Sequence, residues 1–350
     1  MRIAVIAGDG IGQEVTAQAV AVLQAVADAG GRPVTFESLP WGADHYLATG
    51  VTVPEGGYAH LRDDCDAILV GALGDPRVPD NRHARDILLG ARFELDLYVN
   101  YRPVRLLDDD LCPLKGRSRS DVDFVVFREN TEGVYVGIGG RFKAGTPDEV
   151  AIQEEINTYK GVHRIIRHAF AFAVAGGRTK VCMADKSNAM PQGHALWQRV
   201  FKEIAAEFPA IVATHMYIDA LAYQLVRNPT PFEVIVTNNL FGDIITDLGG
   251  ALQGGLGMAA SGNLHPGRTS LFEPVHGSAP ALAGRNVANP IGAILSAALM
   301  LETLGWAEGA RRMEAAVEAA LQAGQRTPDI GGSTGTREVG AWIAARVRGG

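Results

Sequence analysis

The chain has little of several things, and each shortage closes a class of function. Its three cysteines, Cys65, Cys112 and Cys182, show no C-x-x-C spacing. An odd count without paired spacing argues against a disulfide framework and a zinc site built from cysteines, and it fits a reducing, cytoplasmic compartment. Long apolar runs are missing as well. The richest, "IGAILSAALMLETLGW", is interrupted by Ser296 and Glu302, so no segment has the length of a membrane helix. The opening "MRIAVIAGDG" reads as one strand and a turn, too short for a signal peptide and without a cleavage site. Basic residues are not in excess: the net charge of −7 suits solubility and gives no sign of a nucleic-acid or membrane surface. Internal repeats, low-complexity tracts and a clean linker are absent too, which points to domains discontinuous in sequence.

What is present suffices for two ordinary domains. The 350 residues are 47% hydrophobic and 20% charged, the balance of a soluble globular protein. Strand and helix patterns alternate: "RIAVIAG", an Ala/Val helix over about 13–29, "PVTFESL", then "AILVGALG". That alternation predicts an α/β architecture with strands buried by helices. "DVDFVVFREN", "TKVCMADKSN" and "FEVIVTNN" repeat one plan, an apolar strand ending in a polar or charged cluster. Ligands of open α/β sheets bind outside the carboxyl ends of strands, so these clusters are functional candidates. Residues 136–160 are polar and alternating, like a projecting hairpin, and residues 249–292 are rich in small residues that let backbone approach a ligand.

Several clusters carry chemistry, each with a structural alternative. "GDGIG" (8–12) lies where a phosphate-binding turn would sit, but its G-x-G-x-G spacing is not a Rossmann fingerprint, and a tight turn without ligand explains it equally. In "NLFGDIITD" a helix is expected after Gly242, with Asp243 and Asp247 four apart on one face. They are either acids favoured by a helix N-terminus or a seat for a cation. Asp219 heads an apolar helix, as a cap or as a third oxygen ligand for Mg²⁺ or Mn²⁺. Arg92, Arg102 and Arg128 fall near element ends, as structural arginines or as forks for substrate carboxylates. Lys186 is a loop lysine or, beside a metal and other cations, a base of lowered pKa; Tyr135 is a packed ring or a general acid.

Taken together, "GDGIG", "FRENTEGVY", "DKSN", "YIDA", "NNLFGDIITD" and "FEPVHGSAPALAGRNVANP" resemble, in order and spacing across essentially the whole chain, the β-decarboxylating dehydrogenases. The wording stands nearest the 3-isopropylmalate branch of that family. The resemblance implies an isopropylmalate/isocitrate dehydrogenase-like α/β fold, with two domains sharing a continuous sheet and a nucleotide site that is not of Rossmann type. It implies a nucleotide-binding domain over 1–100 and 254–350, and a substrate, metal and dimerisation domain over 101–253 with an intersubunit arm near 136–160. The activity implied is oxidation and decarboxylation of a 2-hydroxy acid with a β-carboxylate, 3-isopropylmalate in leucine biosynthesis. Arg92, Arg102 and Arg128 would hold carboxylates, and Asp243, Asp247 and a partner's Asp219 would bind Mg²⁺ or Mn²⁺. Lys186, also from the partner, would be the base and Tyr135 the acid, in a homodimer with shared active sites. Ile11, Glu273, His276, Gly277, Ser278, Ala279, Ala281, Leu282 and Asn289 would form the coenzyme site.

Two departures bear on specificity. NAD-preferring members commonly carry Asp after "HGSAP", where this chain has Ala281-Leu282, so the element that repels a 2′-phosphate is missing. NAD is the expected coenzyme, with NADP open through Arg285 and Arg337. Ile87-Leu88-Leu89 precede Arg92 where isocitrate enzymes offer Ser and Asn, and burying a carboxylate there is costly, so Leu88 and Leu89 favour an alkyl substituent. D-malate or tartrate, with a small or absent substituent, and homoisocitrate, through Arg85, stay open as alternatives, as does isocitrate. A non-catalytic homologue is disfavoured because Lys186, Tyr135 and the aspartates are all present.

Overall fold

The computed structural model describes residues 1–349, in two compact units. The first contains Met1–Leu97, Arg102–Val122 and Gly249–Gly350; the second contains Tyr98–Tyr101 and Asp123–Leu248. In chain order the first unit opens with β1 (Arg2–Gly8), α1 (Gly12–Gly30), β2 (Thr35–Ser38), α2 (Ala43–Thr49), α3 (Gly57–Asp63) and β3 (Ala67–Ala72). Two short helices, α4 (Arg82–Ala84) and α5 (Ala91–Glu94), flank a π-helical turn over Arg85–Gly90. β4 (Val99–Arg105) follows, its first residues assigned to the second unit and its last to the first.

The second unit continues with β5 (Asp123–Glu129), β6 (Gly139–Phe142), β7 (Val150–Gln153), α6 (Tyr159–Ala175), β8 (Lys180–Asp185), α7 (Pro191–Glu207), β9 (Val212–Tyr217), α8 (Ile218–Arg227), β10 (Val234–Thr237) and α9 (Asn239–Leu252). The chain returns to the first unit for β11 (Ala260–Leu264), β12 (Ser270–Pro274), α10 (Ile291–Thr303), α11 (Ala307–Gln322) and α12 (Thr336–Gly349).

In the first unit the strand order is β2-β1-β3-β12-β11, parallel except for the β11–β12 pair. β3, "AILVGA", is buried at every position, the pattern of a strand covered on both faces. One face carries Ala4, Ile6, Ile68 and Val70, packed with Trp41, Leu61, Ile87 and Leu95. α1, α10, α11 and α12 pack on one another, and α1 and α10 also pack on the strands. α10 is apolar all round and correspondingly buried, and α1 stops at Gly31, whose φ of 61° closes the helix in the left-handed conformation.

The second unit aligns the three repeated segments. β5, β10, β8 and β9 lie in that order, all parallel, with Thr237 opposite both Arg128 and Ala184 and Asp185 opposite Tyr217. Their polar carboxyl ends therefore emerge side by side along one edge of the sheet. β6 and β7 form a separate antiparallel ribbon, with Phe142 opposite Val150. Phe142, Val150 and Ile152 share one face of it and are all exposed. Among the described residues, no helix is long and apolar enough to cross a membrane.

One expected boundary is corrected. α9 begins at Asn239, not after Gly242, and has no acidic residue in its first turn. Asp243 and Asp247 thus sit in the second and third turns, where the helix dipole has little to offer them.

Candidate active site

In the second unit the carboxyl end of β5 delivers Arg128, which is buried to 1% exposure. Its Nε and Nη2 donate to Asn239 Oδ1 at 2.9 and 2.7 Å, and its Nη1 donates to Asp243 Oδ1 at 2.5 Å. The Tyr135 hydroxyl donates to the other oxygen, Asp243 Oδ2, at 2.8 Å, and the guanidinium lies 5.1 Å from the Tyr135 ring centroid. Gly242 is required for this arrangement: a Cβ there would lie 2.5 Å from Arg128 Cβ and Cγ. The "FREN" turn is itself held by Glu129, whose carboxylate accepts from Thr131 N and Oγ1 and from Glu132 N. Burial raises the Glu129 carboxyl to about 7, with the neighbouring Glu132 adding to the effect.

Asp243 is half-buried and Asp247 exposed, one turn apart on α9. Lys186 and Asp219 follow the paired ends of β8 and β9 and meet, Nζ to Oδ1, at 2.6 Å. The hydrogen bond from Lys186 keeps the Asp219 carboxyl below the usual range, helped by its position at the start of α8. Asp219 is not the cap of that helix; the N-cap position is Tyr217. The Lys186 turn is rigidly founded. Its backbone N–H donates to buried His194 at 2.7 Å, while buried Asp185 accepts from Ser187 N, Gln198 and His215. Among the described residues, Asp219, Asp243 and Asp247 of one chain do not converge as a ligand trio.

In the first unit Arg92 and Glu273 come together. Both are nearly buried, and Arg92 Nη2 donates to Glu273 Oε1 at 3.2 Å, the same oxygen that accepts from Asn263 Nδ2 at 2.9 Å. Arg102 is buried on β4. Leu88 and Leu89 lie half-buried on the π-helical turn that precedes Arg92, while Ile87 is in the core. Such turns are concentrated at functional sites because the extra residue shifts the helix face.

The first turn and the glycine-rich loop are also joined. Ile11 N donates to Ser278 O at 2.8 Å, and a Cβ on Gly10 would lie 2.1 Å from that oxygen. Ala279 adopts φ 37°, and Gly277, Ala281 and Leu282 are exposed. His276 Nδ1 lies 3.0 Å from Gly277 O, which makes it the donor and leaves Nε2 as an acceptor. That Nε2 is buried without a protein partner, and burial holds the ring below the ordinary histidine pKa. Asn289 is buried, accepting from Ile291 N and donating to Asp329. Within "GDGIG" the acid is structural: buried Asp9 accepts from Ala43 N, Gly74 N and His83.

Residues 2–343 match the isocitrate/isopropylmalate dehydrogenase family. The chain belongs to that family. It is 46% identical to the 3-isopropylmalate dehydrogenase of Thermobifida fusca, covering 99% of this chain and 98% of the relative. It is 47% identical to that of Nocardia farcinica, covering 99% and 100%. Among solved structures, isocitrate dehydrogenase from Methylococcus capsulatus superposes with TM-score 0.90 at 34% identity, 99% of each chain covered. The TT0538 protein from Thermus thermophilus superposes with TM-score 0.88 at 37% identity, covering 99% of this chain and 68% of that one. As a member of this family the chain is an oxidoreductase.

Sequence reasoning passed over Asn239, Gly242, Asn263 and Glu129, which orient the residues it named. The spacing of four from Asn239 through Asp243 to Asp247 is the signal in the sequence, and it marks one face of a helix that starts at Asn239.

Proposed function

We propose that this family member catalyses the oxidative decarboxylation of 3-isopropylmalate to 4-methyl-2-oxopentanoate, with NAD and a divalent metal, in leucine biosynthesis. The observation that carries the choice of substrate is the pair of half-buried leucines, Leu88 and Leu89, on the turn before buried Arg92. A pocket wall of that chemistry accepts an isopropyl group and leaves a third carboxylate without a partner, which costs free energy. The relatives' shared name supports the same choice.

The residues fit the two implied groups. Asp243 and Asp247 offer hard oxygen donors one turn apart, as Mg²⁺ or Mn²⁺ prefers. The partnerless Nε2 of His276 and the exposed loop over Gly277, Ala281 and Leu282 fit a coenzyme. When bound, the metal supplies Lewis-acid polarisation of the substrate oxygen and the nicotinamide supplies the hydride acceptor. The chain's own residues do the rest. Arg92, Arg102 and Arg128 orient the carboxylates, and Lys186 takes the hydroxyl proton. Tyr135, already resting on Asp243, returns a proton to the carbon that has lost CO₂. Ile11, Glu273, Ser278, Ala279 and Asn289 shape the coenzyme site.

We infer a homodimer in which Asp219 and Lys186 complete the partner's site. This rests on the unconverged aspartates of one chain and on exposed apolar side chains, among them Phe142 and Ile152 on the ribbon and Tyr223 and Ile244 on α8 and α9. Steady-state kinetics over 3-isopropylmalate, D-malate, tartrate, homoisocitrate and isocitrate, with NAD and NADP, test the assignment. The highest kcat/KM is expected for 3-isopropylmalate with NAD. Faster turnover of D-malate or isocitrate overturns it.

A further inference from the structure

Away from the candidate active site, the first unit gathers three unlike metal-ligating side chains. A carboxylate oxygen of Glu37, an imidazole nitrogen of His60 and the sulfur of Cys65 all lie within 4.8 Å of one another. Strand register brings them together. Glu37 on β2 is opposite Ala4 on β1, which is opposite Ile68 on β3, three residues after Cys65; His60 is on α3, which leads into that strand. No paired-cysteine spacing announces such a cluster, because its members come from three elements.

We propose that Glu37, His60 and Cys65 form a binding site for a borderline or soft divalent cation of the Zn²⁺ class, distinct from the all-oxygen aspartate set. One carboxylate, one imidazole and one thiolate are the donor types that such ions prefer, with water filling a fourth position. The surroundings are arranged as they are around metal ligands. His60 Nε2 faces Glu37 Oε1 at 2.9 Å, while Nδ1 faces Asp64 Oδ2 at 2.8 Å. The two carboxylates hold the imidazole protonated in the absence of an ion. Once a cation displaces the proton shared with Glu37, the carboxylate on Nδ1 would fix the tautomer whose Nε2 lone pair meets the ion. Arg2 donates to the other oxygen of Glu37 at 2.8 and 3.0 Å, which orients that carboxylate in turn. The cluster has one wet and one dry side: the His60 and Glu37 side chains are 29% and 30% exposed, whereas Cys65 is buried with Leu61 and Ile68. An ion therefore has a route in, and the sulfur is shielded. Binding displaces the thiol proton and the proton between Nε2 and Glu37.

The competing account is an ion-pair network, Arg2–Glu37–His60–Asp64, that fastens β2 to α3 and never holds a metal. Titration of the chelator-treated full-length protein with Co²⁺, in excess Mg²⁺ to fill oxygen sites, separates the two. One equivalent of Co²⁺ is expected to produce a thiolate-to-cobalt charge-transfer band. Cys65→Ser is expected to abolish the band, and Asp64→Asn to weaken affinity about 10- to 100-fold. Glu37→Gln, at a partly exposed position, is expected to weaken it as well, so the test survives if Cys65→Ser fails to fold. Absence of the band, its persistence in Cys65→Ser, or unchanged affinity in Glu37→Gln overturns the proposal.

Discussion

"GDGIG" in the first unit and "FGDII" in the second each carry a Gly-Asp pair soon after a buried parallel strand, before α1 in one case and inside α9 in the other. Their acids end in opposite conditions. Asp9 is 6% exposed, its carboxylate closed off by two backbone N–H groups and His83. Asp243 retains 40% of its side-chain exposure, its partners include a buried arginine and a tyrosine hydroxyl, and Asp247 stands exposed one turn on. An acid whose acceptor sites are filled by backbone donors serves the fold. Under the proposed function, an acid that stays 40% exposed beside a second acid one turn on is the one left to meet a bound group.

Substitutions test that division, beginning with the largest expected effect. Asp247→Asn is expected to lower kcat/KM by about 10³-fold, since several kcal/mol of charge stabilisation depend on the metal, while Tm moves by no more than about 2 °C. Lys186→Ala should cost roughly 10²- to 10⁴-fold in kcat, the usual worth of a positioned proton acceptor, with the fold intact by circular dichroism. Asp9→Ala should do the reverse. Stranding buried His83, the buried Ala43 N–H and the half-buried Gly74 N–H is expected to remove about 3 kcal/mol of stability, read by urea denaturation. A stable Asp9→Ala protein, or an unfolded Asp247→Asn protein, would erase the contrast.

The smallest effect concerns pH. The folded-state pKa of Glu129 is raised to about 7, so its contribution to stability is fully present below the unfolded value near 4.5 and is lost as pH rises through about 7. Glu129→Gln should therefore flatten the fall in Tm between those limits. An unchanged slope would show that the "FREN" turn carries no such linkage.

Much of the fold was legible in advance because strands buried on both faces announce themselves as short apolar runs, as "AILVGA" and "VIVT" do. The repeated plan of strand plus polar cluster also located the sheet edge that bears Arg128 and Lys186. What escaped was whatever depends on register between distant segments. Nothing local says that Asn239 will anchor Arg128, that Glu273 will accept from both Arg92 and Asn263, or that Glu37, His60 and Cys65 will meet. The π-helical turn at Arg85–Gly90 was hidden for another reason: one inserted residue leaves the composition of a helix unchanged while rotating everything after it.

The division of the first unit along the chain sets an order on its assembly. β3 pairs with β12 through Ala67, Ile68 and Leu69, yet some two hundred residues separate the two strands, and the whole second unit is synthesised between them. During synthesis β1, β2 and β3 can pair with one another while the far edge of β3 stays open, an apolar template for unwanted strands. The second unit, nearly continuous in sequence, can complete its core first. The N-terminal third of the chain thus waits for residues 270–274 before the far edge of β3 is covered.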